Sequence, residues 1–149
     1  MRGRFEKIIR FNCLMQQIKK ATQLLLGVAL FYAGTTHLTT NRTNFQAQVP
    51  NWVPLSADFV VIASGVIEIT LGLSLVLLWK YRTQIGWATA AFFIAIFPGN
   101  ISQYVNGIDA FGLDTDRARA IRLLFQPLLV MWALWSSGAW ARYRGRKSS

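Results

Sequence analysis

Hydrophobic residues along the chain collect in four long runs, separated by segments rich in polar or basic residues or proline. Each run is 18–23 residues long, enough at about 1.5 Å per helical residue to cross a bilayer core of about 30 Å. The runs are Ala21–Leu38, Ala57–Trp79, Ile85–Val105 and Ile121–Trp140. We therefore predict an all-α fold, a four-helix transmembrane bundle, in which residues 21–140 form a single domain.

Proline interrupts two of the runs. The third contains Pro98-Gly99-Asn100, and the fourth contains Gln126-Pro127. Pro98 has no N–H and leaves the carbonyl of Ile94 without its helical partner. Irregular backbone at membrane depth is tolerated where protein or a cavity covers it, so the third helix is predicted to line the interior.

Composition and charge agree with a membrane protein. Hydrophobic residues make up 53% of the 149 residues and charged residues only 15%, below the roughly 25% usual in soluble domains. The net charge of +10 does not favour a nucleic-acid partner, because no basic face is interleaved with aromatic residues. The partner that the charge favours is instead the lipid bilayer with its anionic headgroups.

The basic residues also predict the orientation. Twelve of them flank the runs on one side and four lie on the other. The positive-inside rule then places both termini in the cytoplasm, in a multi-pass protein of the cell (inner) membrane. The twelve are Arg2, Arg4, Lys7, Arg10, Lys19, Lys20, Lys80, Arg82, Arg142, Arg144, Arg146 and Lys147, and the four are Arg42, Arg117, Arg119 and Arg122.

Basic segments precede and follow the runs. Within the basic segment 1–20, residues 5–18 place apolar side chains near helical spacing between basic ones, which is typical of a short amphipathic helix in the cytoplasmic interface; a frayed basic tail is the alternative. These apolar residues are Phe5, Ile8, Ile9, Met15 and Ile18. A signal peptide is less favoured than a retained first helix, since the apolar run continues to Leu38. Residues 141–149 form a basic cytoplasmic tail.

The outer segment Thr39–Ser56 is more apolar than a solvated loop. Pro50 and Pro54 break it, and we expect it to fold back over the outer mouth of the bundle. Ser56 is predicted to be the N-cap of the second helix, with Asp58 in its first turn.

Glu68 lies in the middle of the second run. A carboxyl group near the bilayer midplane costs at least about 2.5–3.5 kcal/mol, so it requires a partner, a proton or a function. Gly65 and Gly72 share its helical face. Glu68 is then either a protonated residue that joins neighbouring helices or part of a binding site, and the sequence leaves both interpretations open.

Other polar residues are predicted to meet Glu68. His37 lies about 24 Å and Asn100 about 22 Å from the cytoplasmic ends of their helices, while Arg122 and Gln126 begin a helix that enters from outside. We predict a ligand-binding pocket in the outer half of the membrane, formed by these five residues with Glu68 as its floor. Each also has a structural alternative, as an interfacial anchor, a cap or a satisfied polar group.

Several chemistries find no support. Cys13 is the one cysteine, so an internal disulfide is excluded. One histidine with one nearby carboxylate is an incomplete ligand set for zinc, and iron or haem on His37 would lack a second ligand, so no metal site is assigned. Neither a Ser–His–Asp pattern nor a phosphate-binding glycine loop is evident. No catalytic residue is assigned, and the sequence does not decide whether the protein is an enzyme.

A combination of motifs resembles the DoxX-like family of small four-helix membrane proteins. The motifs are Gly34-Thr35-Thr36-His37, Pro50 with Pro54, Ser64-Gly65-Val66-Ile67-Glu68, Arg82, Phe97-Pro98-Gly99-Asn100-Ile101 and Arg122–Pro127. The resemblance covers about Ala21–Trp140. It implies the fold and a membrane location more firmly than a reaction, because similar proteins are linked with quinone-dependent sulfur oxidation, membrane redox complexes and receptor assembly.

Two functional hypotheses follow. The first is a redox-associated subunit that binds a quinone or another small apolar ligand; the chain offers no evident electron carrier of its own, so catalysis would require a membrane or redox protein partner. The second is a non-catalytic assembly factor or accessory subunit of a larger complex. A transporter is less favoured, because four helices without an internal repeat suit alternating access poorly unless the chain forms a homo-oligomer. The ligand, the partner and the oligomeric state stay open.

Overall fold

The structure, a computed structural model, describes residues 2–147, and all the regular secondary structure in this part of the chain is helical, without strands. Its helices are α1 (Arg2–Leu38), α2 (Arg42–Gln46), α3 (Ala57–Leu77), α4 (Arg82–Ala95), α5 (Phe97–Val105), α6 (Asp116–Ser136) and α7 (Ala139–Lys147), with a 3-10 turn at Trp79–Tyr81. The predicted all-α class is confirmed. Met1, Ser148 and Ser149, at the ends of the predicted basic segments, lie outside the described residues.

Three helical segments are long and apolar enough to cross a membrane, and they indicate a membrane protein. They are Ala57–Leu77, Trp79–Val105 and Asp116–Ser136. Within residues 2–147, the first predicted run, Ala21–Leu38, does not meet the same criterion of length and mean hydropathy. Its polar residues, among them Gln23 and His37, dilute its hydrophobicity.

Helix α1 is continuous from Arg2 to Leu38. The boundary predicted near residue 20 is absent, because residues 16–20 contain neither glycine nor proline and are mostly good helix formers. The residues predicted to form a separate interfacial helix therefore extend the first helix. The side chain of Phe5, one of the predicted apolar positions, lies outside the described part of the chain.

The predicted start of the second helix is confirmed. Ser56 is the N-cap of α3, where its Oγ accepts a hydrogen bond from the backbone N–H of Phe59 at 3.3 Å, and Asp58 lies in the first turn. The helix ends at Leu77 rather than at the predicted Trp79, because Leu78 leaves helical geometry and a 3-10 turn follows.

The fourth helix is displaced toward the N-terminus relative to the predicted 121–140. It begins at Asp116, since Thr115 Oγ1 caps it by accepting from the N–H of Ala118 at 3.2 Å. It ends at Ser136, because Gly138 adopts a φ of +74° that a continuing helix does not allow. The predicted last residue, Trp140, therefore belongs to α7.

The third run divides as its proline predicts, into α4 and α5 on either side of Ile96. Pro98 occupies the first turn of α5, where a missing N–H costs little. The interruption shifts the buried face by one residue. Gln103 rather than Tyr104 is therefore the buried residue of α5: Gln103 is 1% exposed and Tyr104 is 40% exposed.

Two pairs of glycines bring α1 and α3 together in antiparallel directions. A Cβ on Gly34 would lie 2.6 Å from the carbonyl oxygen of Gly65, and one on Gly72 would lie 2.6 Å from that of Gly27. The members of each pair are two helical turns from the other pair, so the backbones touch at both levels. On the other side of the fold α4 and α5 pack against α6, which also contacts α1.

Candidate functional site

A cavity of about 590 Å³ opens between the helices and the segment 39–56. Apolar side chains from α1, α6 and the 39–56 segment line most of it. All five residues of the predicted pocket line it as well: His37, Glu68, Asn100, Arg122 and Gln126. The fold thus brings together residues that are up to 89 positions apart in the chain.

His37 lies between two partners from α3. Its Nδ1 is 3.0 Å from Ser64 Oγ, and its Nε2 is 3.5 Å from Glu68 Oε2. Ser64 Oγ also donates to the carbonyl of Val61 at 2.9 Å. Because that hydroxyl hydrogen is used, Ser64 accepts from Nδ1–H, and in the neutral imidazole Nε2 carries the lone pair.

Glu68 faces Nε2 with an unsatisfied oxygen. The residue is 4% exposed, and among residues 2–147 its buried Oε2 finds no hydrogen-bond partner. The distance of 3.5 Å to His37 exceeds that of a direct hydrogen bond. Gly65 allows this approach, since a Cβ there would lie 2.9 Å from the Cβ of His37.

Asn100 and Gln126 form the opposite wall. Asn100 Nδ2 donates to Gln126 Oε1 at 2.9 Å, and Gln126 Nε2 donates to the carbonyl of Phe93 at 2.7 Å. Phe93 belongs to the last turn of α4, where carbonyls lack helical partners. Gln126 therefore stabilises the helix interruption and orients Asn100 beside the cavity.

Arg122 of α6 lies at the edge of the cavity, beside the segment 39–56. Its guanidinium is 4.4 Å from the centre of the Phe111 ring, and its Nη2 donates to Gln48 Oε1 at 3.2 Å. Gln48 in turn donates to Gln103 Oε1 at 2.5 Å. This network attaches the segment 39–56 to α5 and α6 and places a cation at the edge of the cavity.

Glu68 is not the floor of the cavity, contrary to the prediction. The lining continues along α1 from His37 down to Leu26, a distance of about 16 Å. At that depth only apolar side chains and Trp132 line it. The sequence marks the polar positions of a pocket but not the empty space beyond them, because that space depends on how the helices pack.

The segment 39–56 covers the cavity as predicted. Its helix α2 is attached to the start of α3 by a bidentate pair in which Arg42 donates to Asp58 at 2.8 and 2.6 Å, and Gln46 donates to the same carboxylate at 2.6 Å. The Phe45 ring packs on that of His37 with centroids 3.4 Å apart. The cover therefore touches the centre of the site.

Arg119, three residues before Arg122 in α6, has a separate structural role. It is 7% exposed and donates to Asp109, Asp116 and the carbonyl of Leu113 at 2.7–2.9 Å. It stabilises the loop before α6 and does not line the cavity.

Sequence reasoning missed three polar residues of the site. Ser64 lies one turn from Glu68 on the same helical face, so its position offered a signal. Gln103 follows Asn100 by one turn, but the break at Ile96 concealed the register. Gln48 lies in an irregular segment, where no periodicity exists to predict its burial.

Over the described residues no three His, Cys, Asp or Glu side chains are grouped closely enough to hold a metal ion.

Fold and site together define a helical membrane protein with a mostly apolar cavity lined by a buried His–Glu pair. The chain belongs to the family DUF8561, a domain of unknown function, whose profile matches residues 26–137. The matched range includes every residue of the candidate site. The chain matches no curated protein and no solved structure.

Proposed function

We propose that this protein is a four-helix integral membrane protein of the DoxX-like type that binds a quinone or a similar small apolar molecule with a polar head. In this arrangement α1, α3, α4 with α5, and α6 cross the cell (inner) membrane, and both termini lie in the cytoplasm. The distribution of basic residues supports the orientation.

The observation that carries the proposal is the lining of the cavity. The five predicted polar side chains, from four helices, meet there with Ser64 of α3 and Gln48 of the segment 39–56, around a space whose other walls are mostly apolar. A pocket with a few convergent polar groups is typical of ligand sites. The polar groups suit a head with oxygen atoms, and the apolar depth beyond Glu68 suits a hydrocarbon tail.

Aromatic and basic residues lie together at the end of the bundle opposite the polar cavity residues, and they support a cytoplasmic interface there. Lys20 and Arg82 lie 5.4 and 5.1 Å from the centre of the Trp79 ring, and Lys19 lies 5.8 Å from that of Trp135. Tryptophan and basic residues together are enriched at the headgroup level on the cytoplasmic side. The cavity residues lie toward the opposite ends of the same helices, which supports an outer-half site.

Binding of a quinone with a decyl tail to the purified protein tests the proposal. We expect saturable binding that weakens when His37→Ala or Glu68→Gln is introduced, while Asn51→Ala, at an exposed position of the segment 39–56, serves as the control. Unchanged affinity in both site variants would show that the site is assigned incorrectly.

A second candidate function is an accessory subunit or assembly factor. It is favoured by the first half of α1, where Ile8, Ile9, Phe11 and Leu14 are each more than half exposed. Affinity purification in mild detergent distinguishes the two. One stable oxidoreductase partner supports the redox-associated function, whereas varied, incompletely assembled membrane proteins support the assembly role.

A further inference from the structure

Arg122 is a half-buried cation without a carboxylate partner. Other arginines at the same end of the fold are paired. Arg42 donates to Asp58 at 2.8 and 2.6 Å, and Arg119 donates to Asp109 at 2.7 Å. Within residues 2–147, by contrast, no carboxylate oxygen lies within ion-pair distance of the Arg122 guanidinium. Its charge is therefore not balanced by direct contact inside the described chain.

The guanidinium keeps free donors that a ligand can reach. Within residues 2–147 only its Nη2 has a hydrogen-bond partner, the Oε1 of Gln48. Its Nε and Nη1 are not among the fully buried polar atoms that lack a partner, so both have accessible surface. The Phe111 ring covers the guanidinium from outside, since Arg122 lines the cavity and Phe111 does not. Arg122 can therefore donate to a ligand at the edge of the cavity.

The His37–Glu68 pair does not balance this cation. Glu68 Oε2 is fully buried and faces His37 Nε2 at 3.5 Å. Without a proton the pair would hold a buried carboxylate with an unpaired oxygen, and with two protons it would add a second cation; both are costly in a mostly apolar space. With one proton the pair has no net charge, whichever residue holds it. Since Arg122 is the one Lys or Arg among the described lining residues, the cavity carries one net positive charge.

A carboxylate head supplies the missing negative charge. It is planar and can accept two parallel hydrogen bonds from a guanidinium. A phosphate monoester carries about −1.5 to −2 at pH 7, which would leave excess negative charge in a mostly apolar space. A quinone carbonyl accepts from the same guanidinium but leaves its charge unbalanced. The charge of the cavity therefore favours a head with a single negative charge.

The rest of the cavity suits one hydrocarbon tail. It continues between apolar side chains to Leu26 and Trp132, and its volume of about 590 Å³ is typical of a site for one small molecule. We propose that this cavity takes a fatty acid, whose carboxylate pairs with Arg122 and whose tail extends toward Leu26 and Trp132. The inference rests on the proposed function and names the class of head that the site selects.

The test measures the binding of radiolabelled ligands with matched tails to the full-length protein in phosphatidylcholine nanodiscs. Protein-free nanodiscs correct for partitioning into lipid, and the pH is kept well above the ordinary pKa of a carboxyl group. We expect decanoate to bind about tenfold more tightly than decanamide, which has the same shape without the charge. Decyl quinone should bind saturably with the lower affinity of the amide. Equal affinity of decanoate and decanamide would overturn this inference, while saturable binding of decyl quinone would leave the proposed function intact.

Two further results separate the proposals. If neither decanoate, decanamide nor decyl quinone binds saturably, the proposed function itself fails. If decyl phosphate binds at least as tightly as decanoate, the site belongs to a phosphate-headed lipid and the carboxylate assignment is overturned.

Variants locate the preference. Arg122→Gln removes the charge and should bring the affinities of decanoate and decanamide within about twofold of each other. Arg122→Lys keeps the charge and should keep the preference for decanoate, which a merely structural role does not predict. Arg117→Gln, the same change at an exposed position of α6, should keep the full difference. A preserved difference in Arg122→Gln would overturn the assignment to this residue. Where Arg122→Gln does not fold, the ligand comparison on the unmodified protein decides alone.

Discussion

At the residue scale, Gly65 positions the site by having no side chain. A Cβ there would lie 2.9 Å from that of His37 and 3.0 Å from the carbonyl oxygen of Gly34, closer than packed atoms tolerate. The absent methyl group allows α3 to approach α1 until Glu68 faces the imidazole. A residue outside the pocket's hydrogen-bond network thus sets the distance within it.

Gly65→Ala should therefore lower stability and disturb the site together. We expect the free energy of unfolding to fall by about 1–3 kcal/mol, as is typical of an overpacked contact. The decyl quinone should also bind more weakly, because His37 is displaced. Thermal unfolding in detergent measures the first effect and calorimetry the second. Val66→Ile, which adds a methyl group to a neighbouring residue that is 51% exposed, should change neither. A Gly65→Ala variant as stable as the unmodified protein would contradict this account of the α1–α3 contact.

At the element scale, α2 lies over the cavity and is attached to the first turn of α3. Its attachment to α3 is the pair of Arg42 and Asp58, whose side chains are 40% and 49% exposed. Exposed pairs contribute only about 0–1 kcal/mol to global stability. The pair therefore holds a local element in place more than it stabilises the whole fold.

Asp58→Asn should loosen this cover selectively. We expect faster hydrogen–deuterium exchange in residues 42–49, while the midpoint of global unfolding changes little. The double exchange Arg42→Asp with Asp58→Arg restores the opposite charges and should slow the exchange again. Unchanged exchange in the single variant would show that the Phe45 and Gln48 contacts hold the cover without the ion pair.

At the scale of the whole molecule, the proposed topology places the two ends of each transmembrane helix on opposite sides of the membrane. Cys13, which is exposed, would lie on the cytoplasmic side. Asn51, which is also exposed, would lie on the other. The single native cysteine makes the two positions separately testable.

Labelling of cysteines with a membrane-impermeant maleimide tests this topology. In right-side-out vesicles Cys13 should remain unlabelled until the membrane is opened, whereas Asn51→Cys in a Cys13→Ser background should label at once. Inverted vesicles should give the reverse pattern. Labelling of Cys13 in sealed right-side-out vesicles would contradict the proposed orientation.

Several features follow from the sequence because they are local. The runs of apolar residues predict the all-helical class, Ser56 and Asp58 predict a helix start, and Pro98 predicts the interruption near Ile96. Helical spacing alone placed Gly65 with Glu68 on one face. Each depends on the chemistry of neighbouring residues, which the order of amino acids contains directly.

Tertiary structure decided what depends on contacts between distant segments. The 3.5 Å between His37 Nε2 and Glu68 Oε2, the hydrogen bond between His37 Nδ1 and Ser64 Oγ and the burial of Gln48 all arise from packing between distant segments. The depth of the cavity below Glu68 likewise depends on how large side chains fill the space between helices. Periodicity identifies which face a residue occupies, but the distance between two faces is set by the side chains and glycines that meet there.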